Sequence, residues 1–483
     1  MSDNCSSARR DAQRVLAGAR IRVRSTAIPA ADDIDRLIVN PALELLPAPE
    51  EVPAGVRGRS PHSGALETGF LIVWRLPHDG GIRLETARPA DLLALKVIGE
   101  GIDPREAARS TGVAVGVIDH AIRHAVHRGV VLSPASRLRR PASFHATASA
   151  GEEFLSARVF TLQWHITQQC ELACRHCYDR SERRAVALDE GIDILDQMRE
   201  FCLDRFVRGQ VSFSGGNPFL HPHFTSLYRA AVDRGLATAV IGNPVPRERL
   251  MEISEIQRPE YFQVSLEGRE KHNDGIRGEG HFRRTLAFLS VLRELGIASE
   301  VMLTLTRDNL TEVLPLGELL RDVADASTFN RLAPFGAGAS LALPESAEYT
   351  RFLGDYLAAM PHNPVLALKD SLCNPILRRQ GRGVFDGCAG FGCGAAFNFV
   401  ALLPDGEVHA CRKFPSLIGN IGNEPLAAIY DGSRASAYRE GGSACTECHL
   451  RPVCRGCPAV TAGLGGNPST DRDPYCPELA VDG

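Results

Sequence analysis

The stretch WHITQQCELACRHCY, residues 164–178, decides how this chain is read. Its opening residues, Trp164 to Thr167, close a strand-like apolar run that starts near Val159 and gives way at once to Cys170, Cys174 and Cys177. With 14 cysteines in 483 residues, a triplet spaced C-x3-C-x2-C arises by chance only about 0.01 times per chain. Three thiolates leave a tetrahedral zinc ion one ligand short, although a zinc site stays open as an alternative. On a [4Fe–4S] cluster the same three thiolates leave one iron without a protein ligand.

Outward from this loop the text alternates regularly. Strand-like runs at 159–166, 210–214, 238–241, 261–266, 299–305 and 328–332 interleave with helical patterns at 188–206, 224–234, 247–256, 282–295 and 311–323. Six strands alternating with these helices predict an α/β fold, a parallel sheet curled into a partial (β/α)6 barrel. Catalytic residues then belong at the C-terminal ends of the strands, and the cysteine loop follows the first.

Trp164-His165-Ile166-Thr167 followed by CELACRHCY resembles the radical S-adenosylmethionine (radical SAM) superfamily. The resemblance implies that SAM chelates the open iron of a cluster held by Cys170, Cys174 and Cys177. One electron then cleaves the sulfonium, releasing a 5′-deoxyadenosyl radical that abstracts hydrogen. It also implies cofactor-binding roles further along the sheet. Gly215-Gly216-Asn217-Pro218, after the second strand, resembles the family's GGEP turn that meets the SAM amino group. Asn217 replaces the usual Glu, so an uncharged acceptor stands where an anion is common. Asn243 ends the third strand, Ser265 ends the fourth in VSLEG, and Arg277 in GIRG is the candidate for the SAM carboxylate, because a guanidinium grips a carboxylate with two parallel bonds.

The C-terminal region carries Cys388, Cys393, Cys411, Cys445, Cys448, Cys454, Cys457 and Cys476. Eight thiolates suffice for two fully ligated clusters, with zinc knuckles as the alternative. The spacing resembles the SPASM domain, the twin-cluster extension of radical SAM peptide-modifying enzymes. Two residues, where that domain more often has three, separate Cys454 from Cys457. By resemblance, Cys388, Cys393, Cys411 and Cys457 hold a nearer auxiliary [4Fe–4S] cluster and Cys445, Cys448, Cys454 and Cys476 an outer one, three clusters in all. Of the other cysteines, Cys202 reads as helix core beside Leu195 and Met198, Cys5 lies in a polar arm, and Cys373 is an ordinary residue or a spare thiol.

Four segments follow: a flexible arm at 1–34, a winged-helix-like module with linker at 35–150, the barrel at 151–345, and a bridging helix with the cluster domain at 346–483. So small and loop-rich a last segment needs metal to hold it together. The run GCGAAFNFVALLPDGEVHACRKFP (392–415) looks nearest to maturases of ribosomally made, post-translationally modified peptides (RiPPs), such as the selenobiotic-family maturases. In that setting the N-terminal module resembles a RiPP recognition element, which holds a leader peptide as an added strand; a purely structural cap is the alternative.

Composition narrows the partners. The net charge of −4 argues against a nucleic-acid partner, since phosphate binding needs surplus basic surface. No apolar run approaches the ~20 residues that span a bilayer, and Arg9, Arg10, Asp11 and Arg14 occupy the place of a signal-peptide core. Clustered thiols in a long chain with no export signal predict a cytoplasmic metalloprotein. The expected activity is hydrogen abstraction from a precursor peptide to install a thioether or another crosslink, with a ferredoxin or flavodoxin as electron donor. The alternatives are a sulfatase-maturase-like dehydrogenation of a protein and a non-enzymatic iron–sulfur carrier or regulator.

Overall fold

The computed structural model describes residues 2–48, 68–144 and 151–477, with side chains in the first helix from residue 13 onward. The Cys5 side chain, the end of the expected linker at 145–150 and the last six residues lie outside them. The chain forms two compact units, Met1–Ala135 with Asp233–Gly235, and Ser136–Val232 with Leu236–Gly483.

The first unit opens with helix α1 (Ser2–Ser25), where the sequence pointed to a flexible arm. Leu16, Ala19 and Val23 recur at helical spacing and are buried with Ala42, Leu71 and Val73, so this stripe is ordered by a sheet it could not see in its own sequence. β1 (Ile38–Val39) leads to a three-stranded antiparallel sheet of β2 (Leu43–Pro47), β3 (Phe70–Arg75) and β4 (Ile82–Thr86), in the order β2-β3-β4. β3 is covered on both faces, which is why Phe70 to Trp74 is apolar without alternation. Leu71 and Val73 face α1, while Ile72 and Trp74 join the core under the helices. Those helices are α2 (Pro89–Gly99), α3 (Pro104–Thr111) and α4 (Val115–His127), and β5 (Val131–Leu132) returns to pair with β1. The Asp103 side chain caps α3 by accepting from the Arg105 and Glu106 amides at 2.7 and 3.1 Å, a contribution of about 1 kcal/mol.

In the second unit six parallel strands follow one another: β6 (Val159–Thr167), β7 (Arg208–Gly215), β8 (Ala237–Ile241), β9 (Phe262–Ser265), β10 (Ser299–Leu305) and β11 (Ala326–Arg331). Helices α5 (Leu188–Asp204), α6 (Phe224–Asp233), α7 (Arg247–Ile256), α8 (Glu270–Arg277), α9 (His281–Glu294) and α10 (Val313–Leu320) connect them. Cys202 is buried on α5 with Leu195 and Met198. Beyond the sheet lie α11 (Ser346–Ala359), α12 (Cys373–Arg379) and the short parallel pair β12 (Gly387–Cys388) and β13 (Gly392–Cys393).

The C-terminal segment departs from expectation. β14 (Phe399–Leu402) pairs in parallel with β6, and β15 (Glu407–His409) and β16 (Leu417–Asn420) continue antiparallel, giving one nine-stranded sheet ordered β11-β10-β9-β8-β7-β6-β14-β15-β16. Val400 and Leu402 belong to the same core as Phe160 and Phe213. The segment therefore does not depend on metal alone for its core, because it borrows the barrel's apolar surface. Helices α13 (Leu426–Asp431), α14 (Ser433–Glu440) and α15 (Pro458–Gly463) complete the unit. No helix among the described residues is long and apolar enough to cross a membrane.

Candidate functional site

The cysteine loop lies at the C-terminal end of β6, cradled by the turn after β7. The Gly216 amide donates to the Thr167 carbonyl at 3.0 Å and the Asn217 amide to the Gln169 carbonyl at 2.7 Å. A Cβ on Gly215 would stand 2.1 Å from the Thr167 oxygen, and one on Gly216 would stand 2.1 Å from the Gln169 oxygen. Gly215 also has φ +137°, a region closed to side chains. The two glycines are thus the condition for the turn to touch the loop. Pro218 opens the buried 3₁₀ turn that follows.

Cys170 is exposed, Cys174 and Cys177 half-buried. Burial raises the Cys170 and Cys174 thiols above their ordinary range, against the pull of Asn243 on the first and Arg277 on the second. The Asn243 amide donates to Cys170 Sγ at 3.5 Å and Arg277 Nη1 to Cys174 Sγ at 3.7 Å. Ser265 ends β9 half-buried, and among the described residues no hydrogen bond joins its side chain to the cysteine loop.

Two partners went unread in the sequence. Glu267 is fully buried, and its Oε1 accepts from Arg277 Nε and Nη2 at 2.9 and 2.6 Å and lies 2.8 Å from His176 Nε2. Its Oε2 accepts the Thr304 amide at 2.8 Å. Arg277 therefore already spends two donors on a protein carboxylate, and its third faces a thiol, unlike the free fork expected for SAM. The other partner is Glu171, whose carboxylate receives the Asn217 amide at 3.0 and 3.2 Å while Asn217 Oδ1 accepts the Phe219 amide. An anion does stand at the GGNP turn, contributed by the cysteine loop. CELAC and VSLEG carried both signals as acidic residues flanking the motifs.

The eight C-terminal thiols divide between two cavities. Cys388, Cys393, Cys411 and Cys457 line the first, about 520 Å³ including its open mouth, with Lys369, Lys413 and Arg331. Cys445, Cys448, Cys454 and Cys476 line the second, about 430 Å³ on the same measure. The pairing of Cys388 with Cys393 across β12 and β13 sets the first two, and Asp473 Oδ2 fixes Cys457 by accepting its amide at 2.7 Å. The same carboxylate meets buried Arg331, tying the thiol loops to the end of β11. Burial pushes Cys388 up to about 12 and Cys411 up to about 11, so a cation must displace each proton for these thiols to act as ligands. Four soft donors around each cavity fit an iron–sulfur cluster. Cys373 is buried at the start of α12 and lines neither cavity.

The family model described as the radical SAM superfamily matches residues 164–320, and the SPASM iron–sulfur cluster-binding domain matches residues 393–458. Residues 164–320 therefore carry a radical SAM domain and residues 393–458 a SPASM domain, in a chain that is an enzyme. Its cofactors are [4Fe–4S] clusters and SAM, which sets aside a non-enzymatic carrier. The chain is 28% identical to the AdoMet-dependent heme synthase of Methanosarcina barkeri, over 65% of this chain and 95% of that one. It is 27% identical to the mycofactocin maturase MftC of Mycolicibacterium smegmatis, over 66% of this chain and 82% of that one. The subtilosin biosynthesis protein AlbA of Bacillus subtilis is 25% identical over 61% of this chain and 64% of its own. Among solved structures, Streptococcus suis SuiB bound to its precursor peptide SuiA superposes with a TM-score of 0.53 at 15% identity, covering 85% of this chain and 97% of SuiB. The enzyme anSMEcpe with bound AdoMet and peptide gives 0.52 at 14% identity, covering 66% of this chain and 94% of its own. At such identities the likeness is one of fold.

Proposed function

We propose that this radical SAM enzyme is a RiPP maturase that abstracts hydrogen from a precursor peptide and installs a thioether or another crosslink. The observation that carries the reading is the first unit. Its sheet ends in β2 and β4, whose outer edges pair with no further strand among the described residues, so an extended leader can add as a fourth strand. The likeness to MftC and AlbA supports it.

In this reading Cys170, Cys174 and Cys177 hold a [4Fe–4S] cluster that, with SAM bound, supplies a 5′-deoxyadenosyl radical for hydrogen abstraction. Asn243 and Arg277 donate toward two of the thiols and favour their ionised forms. Glu171, oriented by Asn217, presents a carboxylate to the SAM ammonium, the role the turn's missing Glu would have had. Gly215 and Gly216 keep the turn close enough for this, and Ser265 offers a hydroxyl at the neighbouring strand end. Glu171→Gln is therefore expected to weaken SAM binding about tenfold, the scale of one charge-assisted bond. Equilibrium binding to the reconstituted chain reads it, and an unchanged Kd removes Glu171 from the site.

Strand addition predicts micromolar leader affinity, on the order of −8 kcal/mol. Methylating every second leader amide, on the edge that meets the sheet, should weaken binding at least about tenfold. The test is titration of the full chain with leader, methylated leader and scrambled leader. Equal binding of all three leaves the first unit a structural cap. Mass spectrometry of a candidate precursor peptide co-expressed with this chain tests the reaction itself: a mass loss confined to the core peptide is expected. The likeness to heme synthase favours a second reading, action on a tetrapyrrole. Turnover of an iron porphyrin with an unmodified peptide would establish it. Dehydrogenation of a protein Cys or Ser, the sulfatase-maturase-like alternative, would leave a peptide precursor unmodified and a protein substrate changed in mass.

A further inference from the structure

Three arginines in the second unit are buried without an ion-paired carboxylate among the described residues. Arg140, Arg451 and Arg455 are 3%, 5% and 8% exposed. Arg331, also buried, shows the ordinary solution: Asp370 and Asp473 flank it at 2.7 and 2.6 Å. None of the three has a carboxylate within ion-pair distance among the described residues, and Glu440 and Glu447 act on Arg451 only from farther off. Arg140 donates to the carbonyls of Arg439, Phe391 and Cys393 at 2.7, 2.9 and 2.8 Å. Arg455 donates to the carbonyls of Tyr438, Arg439 and Cys393, and Arg451 to that of Glu440 at 3.1 Å. All three gather on the Phe144 ring, Arg451 closest at 3.9 Å. Nε of each, and Nη1 of Arg451, have no hydrogen-bond partner among the described residues.

Buried charge without a counter-ion costs several kcal/mol per ion, and carbonyls with the Phe144 face, joined for Arg140 by Phe397 at 3.9 Å, offset part of it. A fold that keeps three such cations together has an anion in place when it works. The thiols beside them can supply it, nearer than Glu440 and Glu447, which act on Arg451 alone. Arg451 and Arg455 line the cavity of Cys445, Cys448, Cys454 and Cys476. Arg140 and Arg455 both hold the carbonyl of Cys393, which lines the other cavity.

We propose that Arg140, Arg451 and Arg455 are the built-in counter-charge of the two auxiliary clusters, and that Arg451 and Arg455 set the reduction potential of the outer one. The inference rests on reading the eight cysteines as two cluster sites. A cubane held by four thiolates is anionic and gains one more negative charge on reduction, so a fixed buried cation favours the reduced form. The outer cluster is thereby poised to accept an electron.

The test uses the full chain, reconstituted anaerobically as wild type, Arg451→Met and Arg451→Lys. Iron is counted first, with about twelve per chain expected for three clusters. A redox titration then follows the paramagnetic signal that is missing from Cys448→Ala. In Arg451→Met the reduced-to-oxidised ratio at fixed potential should fall about tenfold, about 59 mV for one electron, and Arg451→Lys should recover most of it. Melting gives a second sign: Arg451→Met should be more stable than wild type after chelation and less stable with clusters bound. A merely structural role, packing on Phe144, predicts losses in both forms. Loss of the outer cluster in Met but not in Lys supports the proposal, because charge then holds the cluster; loss in both overturns it. An unchanged potential at full iron content also overturns it. A wild type holding about four irons would instead overturn the cluster reading beneath it.

Discussion

Replacing Cys170, Cys174 and Cys177 together by alanine is expected to abolish reductive cleavage of SAM and to leave the chain folded. The loop's shape depends on backbone bonds that alanine keeps: Gly216 to Thr167, Asn217 to Gln169, and the Arg175 amide to the Ile276 carbonyl at 3.0 Å. Cys170 is exposed and the other two are half-buried, so truncation opens no large core cavity, and the cost in stability stays near ~1 kcal/mol. The chemistry has no such reserve, since these thiols are the only ligands proposed for the cluster that meets SAM. Reconstituted iron should fall by about a third, from roughly twelve to roughly eight per chain, while 5′-deoxyadenosine production drops to background. Cleavage at the wild-type rate in the triple variant would remove these residues from the site.

Glu267→Ala should be the most destabilising single change near the site, by about 3–5 kcal/mol, because it leaves Arg277 buried and unpaired. Arg277 is 9% exposed at its side chain and Glu267 not at all. Burial alone would raise the Glu267 carboxyl, but His176 and Arg277 outweigh it and hold it at about 2. A carboxylate lower in the folded chain than in the unfolded one binds its proton first on unfolding. Its contribution is complete above the unfolded value, about 4.3, and is lost as pH falls through about 2. The gap between wild type and Glu267→Gln, followed by denaturant melts, should therefore be wide at neutral pH and narrow steadily from about pH 4 downward. A gap independent of pH would mean that shape rather than charge makes the contribution. SAM cleavage should fall as well, since Arg277 loses the group that aims it at Cys174 and the cysteine loop loses the Glu267 contact that anchors its His176.

Much of this molecule was legible because its signals are local. Each βα unit from Val159 to Arg331 announces itself within a few residues, since a strand's apolar run and a helix's stripe are decided by neighbours in sequence. α3 behaves likewise, bounded by the Asp103 cap and by Gly112 in the left-handed region. The cysteine loop and the Gly215-Gly216 turn are equally local, and the partition of the eight later thiols by resemblance coincides with the two cavities that they line. Arg277 was legible as a candidate and not in its partner, because Glu267 reaches it only through the path from β9 to α8.

The sequence by itself determined the alternating α/β core, the position of the first cysteine loop at the end of β6, and the presence of enough thiols for further clusters. Tertiary structure alone decided that α1 packs against β3, that β14 to β16 extend the barrel's sheet beyond β6, and that Glu171 brings a carboxylate to a turn lacking one. It alone gathered Arg140, Arg451 and Arg455 on Phe144, residues separated by some three hundred positions. Strand edges, buried charges and their partners are chosen across such distances by which apolar surface is left to cover and which polar group is left to satisfy. Those quantities exist only once the chain has folded.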